Sequence, residues 1–354
     1  MSVQDTANAP GEAAVEKIAV MGAGSWGTTF AKVLGDAALA AGESRDIVLW
    51  ARRAEAAEEI NREHRNSRYL QQTPLPDAVR ATDSAAEALR EAAVVVLAVP
   101  AQSLREQLRA WKDAVAPGAL VVSLMKGLER GTDERMSEVI AQEWGTPASQ
   151  ILVLSGPNLA MEIAREEPTA SVVACADEAV AQRVAELCTA PYFRPYMSSD
   201  VVGVEIGGIV KNVIALAVGI CEGRDMGDNT KASVITRGLA ETTRLALALG
   251  GEAHTLAGLA GLGDLVATCA SPLSRNHTAG KLLGQGLTLE ETAERMTQTA
   301  EGVKSADAVL ELAARQGVEM PITAAVVAVL AGKLAVEDLG PLLLNRSLKS
   351  EDGY

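Results

Sequence analysis

The chain has 354 residues and a formal net charge of −14, with 48% hydrophobic but only 3% aromatic residues. A single core stops growing at roughly 250–300 residues, so this length predicts two domains. The negative charge excludes a broad nucleic-acid-binding surface, which needs clustered positive charge. An anionic ligand would have to be held by a few local Lys or Arg residues.

Residues 1–16 lack the basic and apolar regions of a secretory signal, so we expect a disordered tail there. The four cysteines form no C-x-x-C pair and the three histidines are scattered. Neither a disulfide framework nor a metal site is therefore expected. No uninterrupted apolar run approaches about 18 residues, so we expect a cytoplasmic protein with no membrane span.

Strand and helix patterns alternate from residue 17 to about residue 200. The runs KIAV, DIVLW, AVVVLAV and ILVLS lack the polar–apolar alternation of half-exposed strands, and helical segments separate them. Buried strands joined by helices are typical of a parallel sheet covered on both faces. We expect this α/β sheet to continue through TASVVACA and YFRPYMSSD.

The pattern changes near residue 201. The segments VGVEIGGIVKNVIALAVGICEG, TKASVITRGLAETTRLALALGG and ADAVLELAARQG have helical spacing or composition, and convincing strands disappear. We therefore predict an all-helical C-terminal domain over residues 201–345, followed by a tail over 346–354. Most of the apolar residues in these helices are expected to form its core.

The stretch VMGAGSWGTTFA follows the first predicted strand. Gly22, Gly24 and Gly27 fit the pattern G-x-G-x-x-G, which is weak by itself. Between a strand and a helix, however, such glycines permit a tight turn, close approach of a pyrophosphate and helix–strand packing. The context favours a Rossmann-type dinucleotide-binding domain over 17–200, although a purely structural turn is the alternative. Trp26 could cover the cofactor or simply pack.

The second predicted strand ends in IVLWARR. A site that prefers NAD usually has an acidic residue here, whereas this chain has Arg52 and Arg53, with Glu55 as the nearest acid. Guanidinium groups bind a 2′-phosphate through charge-assisted hydrogen bonds, so NADP is favoured over NAD. Alternatively, one arginine merely faces solvent.

Polar groups follow two later strands. Lys126 in SLMKG and the stretch SGPNLA (155–160) both lie where strands are predicted to end. The carboxyl ends of parallel strands form the ligand-binding edge of open α/β sheets. Either stretch could instead be an ordinary strand-to-helix turn.

Lys211 and Asn212 interrupt a long apolar helix. Burial of an ammonium is unfavourable without partners or a ligand, and desolvation would lower the pKa of Lys211 toward neutrality. A lysine with such a pKa can exchange a proton with a carbonyl or hydroxyl group. The alternative is that Lys211 extends to solvent along the helix surface.

Asp264 lies in the apolar, glycine-rich stretch GLAGLGDLVATC, and a buried aspartate needs a cationic partner, for which we predict Lys211. The polar turn Ser274-Arg275-Asn276 follows. The guanidinium of Arg275 suits a phosphate or carboxylate, although an exposed arginine at a helix end is the alternative.

Seven segments together resemble the bacterial NAD(P)-dependent glycerol-3-phosphate dehydrogenases. In chain order they are GAGSWGTTFA, SLMKGLE, LSGPNLA, VEIGGIVKNVIALAVGI, GDNTKASVITRGLAE, GLAGLGDLVATCASPLSRNHTAGKLLG and AEGVKSA. The resemblance covers about residues 17–345. It implies NAD(P)H-dependent, reversible reduction of dihydroxyacetone phosphate to sn-glycerol 3-phosphate, for phospholipid synthesis. Family members are often homodimers, so a homodimer is expected.

The resemblance also implies residue roles. Lys211 would donate or accept the proton at the C2 oxygen, and Ser274, Arg275 and Asn276 would hold the phosphate. The implied substrate-binding residues are Lys126, Gly156, Asn158, Lys211, Asn212, Asp264, Ser274, Arg275 and Asn276. The implied cofactor-binding residues are Gly22, Gly24, Ser25, Trp26, Gly27, Arg52, Arg53, Tyr69, Lys126, Ala160, Arg275 and Glu301.

The chain departs from the family at one motif. Family members usually have Ser or Thr and then Phe where this chain has Asn158 and Leu159. Asn158 can still hydrogen-bond a substrate oxygen, but its role is open. Two other functions compete with the family's. A β-hydroxyacid dehydrogenase would not need the segment SPLSRNHTAGK, and a dinucleotide sensor would not need Lys211, Asp264 and Arg275 together.

Overall fold

A computed structural model describes residues 15–296 and 300–339. Most of the predicted N-terminal tail, residues 1–14, and the whole predicted tail 346–354 lie outside the described residues. Glu16, assigned to the tail, instead opens the first strand. The strands are β1 (Glu16–Met21), β2 (Arg45–Trp50), β3 (Val79–Thr82), β4 (Val94–Leu97), β5 (Leu120–Ser123), β6 (Ile151–Ser155), β7 (Thr169–Ala174) and β8 (Phe193–Ser198).

These strands form one sheet in the order β3-β2-β1-β4-β5-β6-β7-β8. Helices between the strands cover both faces. They are α1 (Ser25–Ala41), α2 (Ala54–Glu63), α3 (Ala85–Leu89), α4 (Leu104–Trp111), α5 (Met136–Trp144), α6 (Ala160–Ala164) and α7 (Glu178–Leu187). The prediction of an α/β, Rossmann-type sheet is confirmed.

The sheet differs from the prediction at one pair of strands. All neighbours are parallel except β6 and β7, which pair in antiparallel orientation. The five-residue α6 rises only about 7.5 Å, whereas a six-residue strand spans roughly 20 Å. Since α6 is too short to return the chain to the starting edge, β7 runs back beside β6.

In the described part of the chain after Ser198, the regular elements are helices, as predicted. They are α8 (Val201–Gly223), α9 (Asp228–Ala248), α10 (Ala253–Ala257), α11 (Asp264–Ala270), α12 (Arg275–Gly284), α13 (Leu289–Arg295), α14 (Glu301–Arg315) and α15 (Pro321–Leu330). A π-helical turn, Leu259–Gly263, connects α10 to α11.

The helix α8 is the centre of this helical domain. Its residues from Gly203 to Cys221 are all buried, and α9, α11, α12 and α14 pack around it. It is the one described helix that is long and apolar enough to cross a membrane, but 89% of its most apolar window is buried inside the protein. It is therefore placed as a core helix, and Lys211 and Asn212 are held in the interior.

Candidate active site

The Gly-rich turn joins β1 to α1 at the carboxyl edge of the sheet. Gly22 has φ +131°, and a Cβ there would lie 2.5 Å from the carbonyl oxygen of Ala98. A Cβ on Gly27 would lie 2.0 Å from the carbonyl oxygen of Gly22. These two positions therefore require glycine for the tight turn and for close packing of α1.

Gly24 differs, because a Cβ there would meet nothing within 4 Å. It is the N-cap residue of α1, and this helix has neither a side-chain cap nor an acidic residue in its first turn. The first-turn amides of an uncapped helix bind phosphate groups, helped by the helix dipole. The turn thus fits the pyrophosphate of a dinucleotide.

Four residues predicted to contact the cofactor lie around this turn and after β2. Ser25 opens α1, and Trp26 packs on Phe30, with the ring centroids 5.7 Å apart. Arg52 and Arg53 are exposed just after β2, and Arg53 is the N-cap residue of α2. Trp26 therefore packs against the core, while its half-buried indole still borders the turn.

Asn66 is a residue of this region that sequence reasoning missed. Its buried amide donates to the carbonyl oxygen of Ala23 at 3.0 Å and to the hydroxyl of Thr28 at 2.8 Å. The backbone N–H of Tyr69 donates to the carbonyl of Asn66, so the 66–70 segment is tied to the Gly-rich turn. Its position in NSRYL, beside the predicted contact Tyr69, was the available signal.

A buried carboxylate joins two lysines between the sheet and the helical domain. Asp264 is 1% exposed; its Oδ2 lies 2.6 Å from the Nζ of Lys126, and its Oδ1 accepts from the Nζ of Lys211. The predicted pairing of Asp264 with Lys211 is confirmed. Lys126 also donates to the carbonyl oxygen of Gly156, at 3.0 Å.

Lys211 does not extend to solvent, since only 7% of the residue is exposed. Desolvation lowers its pKa to about 7, and the charge of Lys126 lowers it as well, while Asp264 opposes the shift. The Nζ donates to the hydroxyl of Thr268 at 2.8 Å. Sequence reasoning missed Thr268, although it lies four residues after Asp264, on the same face of α11.

Two asparagines connect α8 to α12 and α14. The Nδ2 of Asn276 donates to the Oδ1 of Asn212 at 2.9 Å, and its Oδ1 accepts from the backbone N–H of Gly302 at 2.8 Å. The Nδ2 of Asn212 makes longer contacts to the carbonyl oxygens of Lys126, at 3.4 Å, and Gly208, at 3.3 Å. These hydrogen bonds orient Asn212 beside Lys126.

The predicted polar turn 274–276 is wrong, because only Ser274 lies outside a helix. Its hydroxyl accepts from the backbone N–H of His277 at 3.2 Å, which makes it the N-cap of α12. Arg275 and Asn276 are therefore the first two residues of α12. Arg275 is exposed, while Asn276 is buried. The arginine thus adds its charge to the positive end of a helix.

Glu301 opens α14 next to these groups. Its Oε2 is buried without a hydrogen-bond partner among the described residues, and burial raises its pKa, opposed by the charges of Lys304 and Arg275. The same oxygen lies 3.8 Å from where a Cβ of Gly127 would be. Glu301 is therefore an open hydrogen-bonding group beside the segment that carries Lys126.

The motif SGPNLA, in which Asn158 and Leu159 differ from the family, also lies at the carboxyl edge of the sheet. Asn158 donates to the hydroxyl of Ser171 at 3.1 Å, while its own Oδ1 is buried without a partner in the described structure. Ala160 opens α6, and its carbonyl accepts from Thr29 of α1 at 3.2 Å. The motif therefore connects the Gly-rich helix to the lysine cluster.

Two family models cover the chain. Residues 17–181 match the N-terminal domain, and residues 200–340 the C-terminal domain, of NAD-dependent glycerol-3-phosphate dehydrogenase. Proteins named glycerol-3-phosphate dehydrogenase, NAD(P)+, from Streptomyces griseus and Thermobifida fusca are 58% and 57% identical to this chain, each over 95% of it and 98% of the relative.

Solved structures agree with the sequence matches. The crystal structure of glycerol-3-phosphate dehydrogenase from Coxiella burnetii superposes with a TM-score of 0.87 at 36% identity, over 94% of this chain and 99% of that one. A ketopantoate reductase structure from Ralstonia eutropha shares only the fold, with a TM-score of 0.55 at 15% identity, over 92% of this chain and 99% of that one.

Proposed function

We propose residue roles from the premise that this chain belongs to the NAD-dependent glycerol-3-phosphate dehydrogenase family. It is an NAD(P)-dependent oxidoreductase that reduces dihydroxyacetone phosphate to glycerol 3-phosphate, a precursor of glycerophospholipids. The observation that supports the roles best is the buried Lys126–Asp264–Lys211 cluster, which faces the carboxyl edge of a dinucleotide-binding sheet.

The Gly-rich turn would hold the cofactor. Gly22 and Gly27 keep the turn tight, Gly24 leaves room for the pyrophosphate, and the uncapped N-terminus of α1 donates to it. When bound, the reduced nicotinamide supplies a hydride to the carbonyl carbon of the substrate. Ser25, Trp26, Tyr69, Ala160 and Glu301 are proposed as further cofactor contacts, with Lys126 and Arg275 reaching cofactor and substrate.

Lys211 would move the proton. As the carbonyl carbon is reduced, the C2 oxygen gains negative charge and takes a proton from the Lys211 ammonium. Solvent then returns a proton to the Lys211 amine. A pKa of about 7 lets the group act as acid in reduction and as base in glycerol 3-phosphate oxidation. Thr268 and Asp264 hold the Nζ in position.

Neighbouring groups would polarise and orient the substrate. The ammonium of Lys126 and the amide of Asn212 stabilise the negative charge that develops on the C2 oxygen, because both act inside a desolvated cluster. Asp264 pairs with both lysines and offsets part of their positive charge. The free Oδ1 of Asn158 and the backbone of Gly156 would accept from the substrate hydroxyl group.

The phosphate would bind at the start of α12. Ser274, Arg275 and Asn276 surround this helix N-terminus, where a guanidinium and first-turn amides favour a dianion. Anchoring the phosphate holds the carbonyl carbon near the nicotinamide. We further propose that Arg52 and Arg53 favour NADPH over NADH, and that the enzyme acts in the cytoplasm as a homodimer.

The test is the change in absorbance at 340 nm when the protein is mixed with dihydroxyacetone phosphate and either NADPH or NADH. We expect oxidation of both cofactors, with a lower KM for NADPH. The same assay with dihydroxyacetone, which lacks the phosphate, measures the anchor. Oxidation of neither cofactor would favour a dinucleotide sensor over these residue roles.

A further inference from the structure

A second buried carboxylate on α8 lies outside the proposed site. The side chain of Glu205 is 2% exposed, and its hydrogen-bond partners among the described residues belong to the sheet domain. It accepts from the Nη1 of Arg135 at 2.6 Å, from the backbone N–H of Ser137 at 3.0 Å and from the hydroxyl of Ser137 at 2.6 Å. A buried carboxylate with three donors is rigidly held, since losing any donor leaves charge uncompensated.

These partners lie in the segment 126–137, which starts at Lys126 and ends in the first turn of α5. Glu205 itself is six residues before Lys211 on the same helix. The contact of Glu205 with Arg135 and Ser137 therefore connects the segment 126–137, which carries Lys126, to helix α8, which carries Lys211. Both lysines bind the carboxylate of Asp264, so a shift of α8 against the segment changes their geometry.

The rest of this segment also contacts the helical domain. Leu128 packs into the core around α8, and the guanidinium of Arg130 donates to the carbonyl oxygen of Lys304 at 2.8 Å. The buried Asp133 pairs through Oδ2 with the Nη2 of Arg315 at 2.6 Å, but Arg315 is half exposed and the Oδ1 of Asp133 has no partner among the described residues. Both oxygens of Glu205, in contrast, accept hydrogen bonds. The buried Glu205 contact is the strong one.

We propose that Glu205 is a positioning residue, which fixes the distance between Lys126 and Lys211 by locking α8 to the segment 126–137. This inference rests on the proposed role of Lys211. Glu205 touches neither lysine, so it acts only through the backbone elements that it joins. A misplacement of reacting groups by about 1 Å can cost 10²-fold in rate, so small shifts are sufficient.

Loosening this contact has a distinct signature in the pH profile. The charged groups that face Lys211 are Asp264 of α11 and Lys126, and the Cys269 thiol of α11 is also near. Water entry and retreat of Lys126 would each raise the pKa of Lys211. The limb of kcat/KM for reduction that reports Lys211 should therefore move to higher pH.

Glu241 offers a matched control. It is also a buried carboxylate on a helix, and it accepts from the backbone N–H groups of Ile322, at 2.5 Å, and Thr323, at 3.2 Å, and from the hydroxyl of Thr323 at 3.2 Å. All of these groups lie in the helical domain. Burial raises the pKa of Glu241 to about 7. Glu241→Gln therefore removes a buried carboxyl group with a similar set of donors, without touching the contact between the domains.

The experiment compares Glu205→Gln, Ser137→Ala and Glu241→Gln with the wild type, by kcat, both KM values and the pH profile of reduction. We expect Glu205→Gln to lower kcat by roughly 10–100-fold and to keep the KM for NADPH within about twofold of wild type. The limb of the pH profile that reports Lys211 should move to higher pH. Ser137→Ala, which removes one donor, should show smaller changes in the same direction. Glu241→Gln should lower only thermal stability.

Two results would overturn the inference. If Glu205→Gln keeps the wild-type kcat and the wild-type pH profile, Glu205 is merely structural. If that variant does not fold, the same result with Ser137→Ala leads to this conclusion. A Glu241→Gln variant with the same kinetic changes would lead to the same conclusion. A wild-type pH profile of reduction without a limb near the pKa of Lys211, or an active Lys211→Met variant, would instead refute the proposed role of Lys211 and the inference with it.

Discussion

Replacing Lys211 by Met tests the proton transfer most directly. Methionine has a similar length and fills the same buried space, but it carries neither a proton nor a charge. Asp264 keeps its contact with Lys126 at 2.6 Å, so the carboxylate is not left alone in the interior. The substitution should therefore remove chemistry while preserving the fold.

The size of the effect follows from two roles of the ammonium. A positioned general acid contributes about 10²–10⁴-fold, and a donor to a developing oxyanion about 10²–10³-fold. Since one ammonium performs both tasks, the contributions overlap, and we expect kcat to fall by about 10⁴-fold, or roughly 5 kcal/mol. The KM for NADPH should change little, because the Gly-rich turn is untouched.

The assay is NADPH oxidation at 340 nm with saturating dihydroxyacetone phosphate, with Lys281→Met as the control. Lys281 lies on α12 and pairs with Glu222 of α8, about three turns along from Lys211, so it tests loss of a lysine near the same helix. This control should keep kcat within about twofold of wild type. If Lys211→Met retains more than about a tenth of wild-type kcat, the proposed role is wrong.

The lowered pKa of Lys211 also predicts opposite pH profiles for the two directions. Reduction needs the ammonium, so its kcat/KM should fall as the pH rises through about 7. Oxidation of glycerol 3-phosphate needs the neutral amine, so its kcat/KM should rise over the same range. Profiles that are flat between about pH 6 and about pH 9, a range that includes this pKa, would contradict the reasoning.

Three further predictions concern the binding residues. Arg275→Ala should raise the KM for dihydroxyacetone phosphate by roughly 10–100-fold, and an equal loss with dihydroxyacetone would refute the phosphate anchor. Arg52→Ala with Arg53→Ala should raise the KM for NADPH about tenfold but hardly that for NADH; equal changes would argue against a 2′-phosphate site. Gly27→Ala should lower the melting temperature because its Cβ would meet a carbonyl at 2.0 Å, whereas Gly24→Ala should fold normally and weaken only nucleotide binding, measured by titration.

Much of the candidate site could be predicted from the sequence because its polar residues lie in segments that are otherwise apolar. Lys211 and Asp264 each interrupt an apolar helical segment, so the cost of desolvation favoured their pairing, although it left open that Lys211 reaches solvent. The Gly-rich turn was recognisable because it lies between a strand and a helix. Local patterns of this kind need no knowledge of tertiary structure.

Other features depend on distant contacts. Lys126 reaches Asp264 across 138 residues, and no periodicity connects the two. The antiparallel β7 followed from the length of α6, which a propensity pattern does not define to within a turn. The helical start at Arg275 was missed although Ser274 is a favoured N-cap residue, because the preceding proline and serines suggested a turn.

The helix α8 has a consequence for biosynthesis. Its most apolar 18-residue window has a mean hydropathy of 1.9, so the emerging segment has the length and composition of a membrane-spanning helix. Lys211 stands at its middle, and each charge at such a position disfavours insertion by about 2.5–3.5 kcal/mol. The lysine proposed to carry the proton therefore also opposes insertion of the newly made segment into a bilayer.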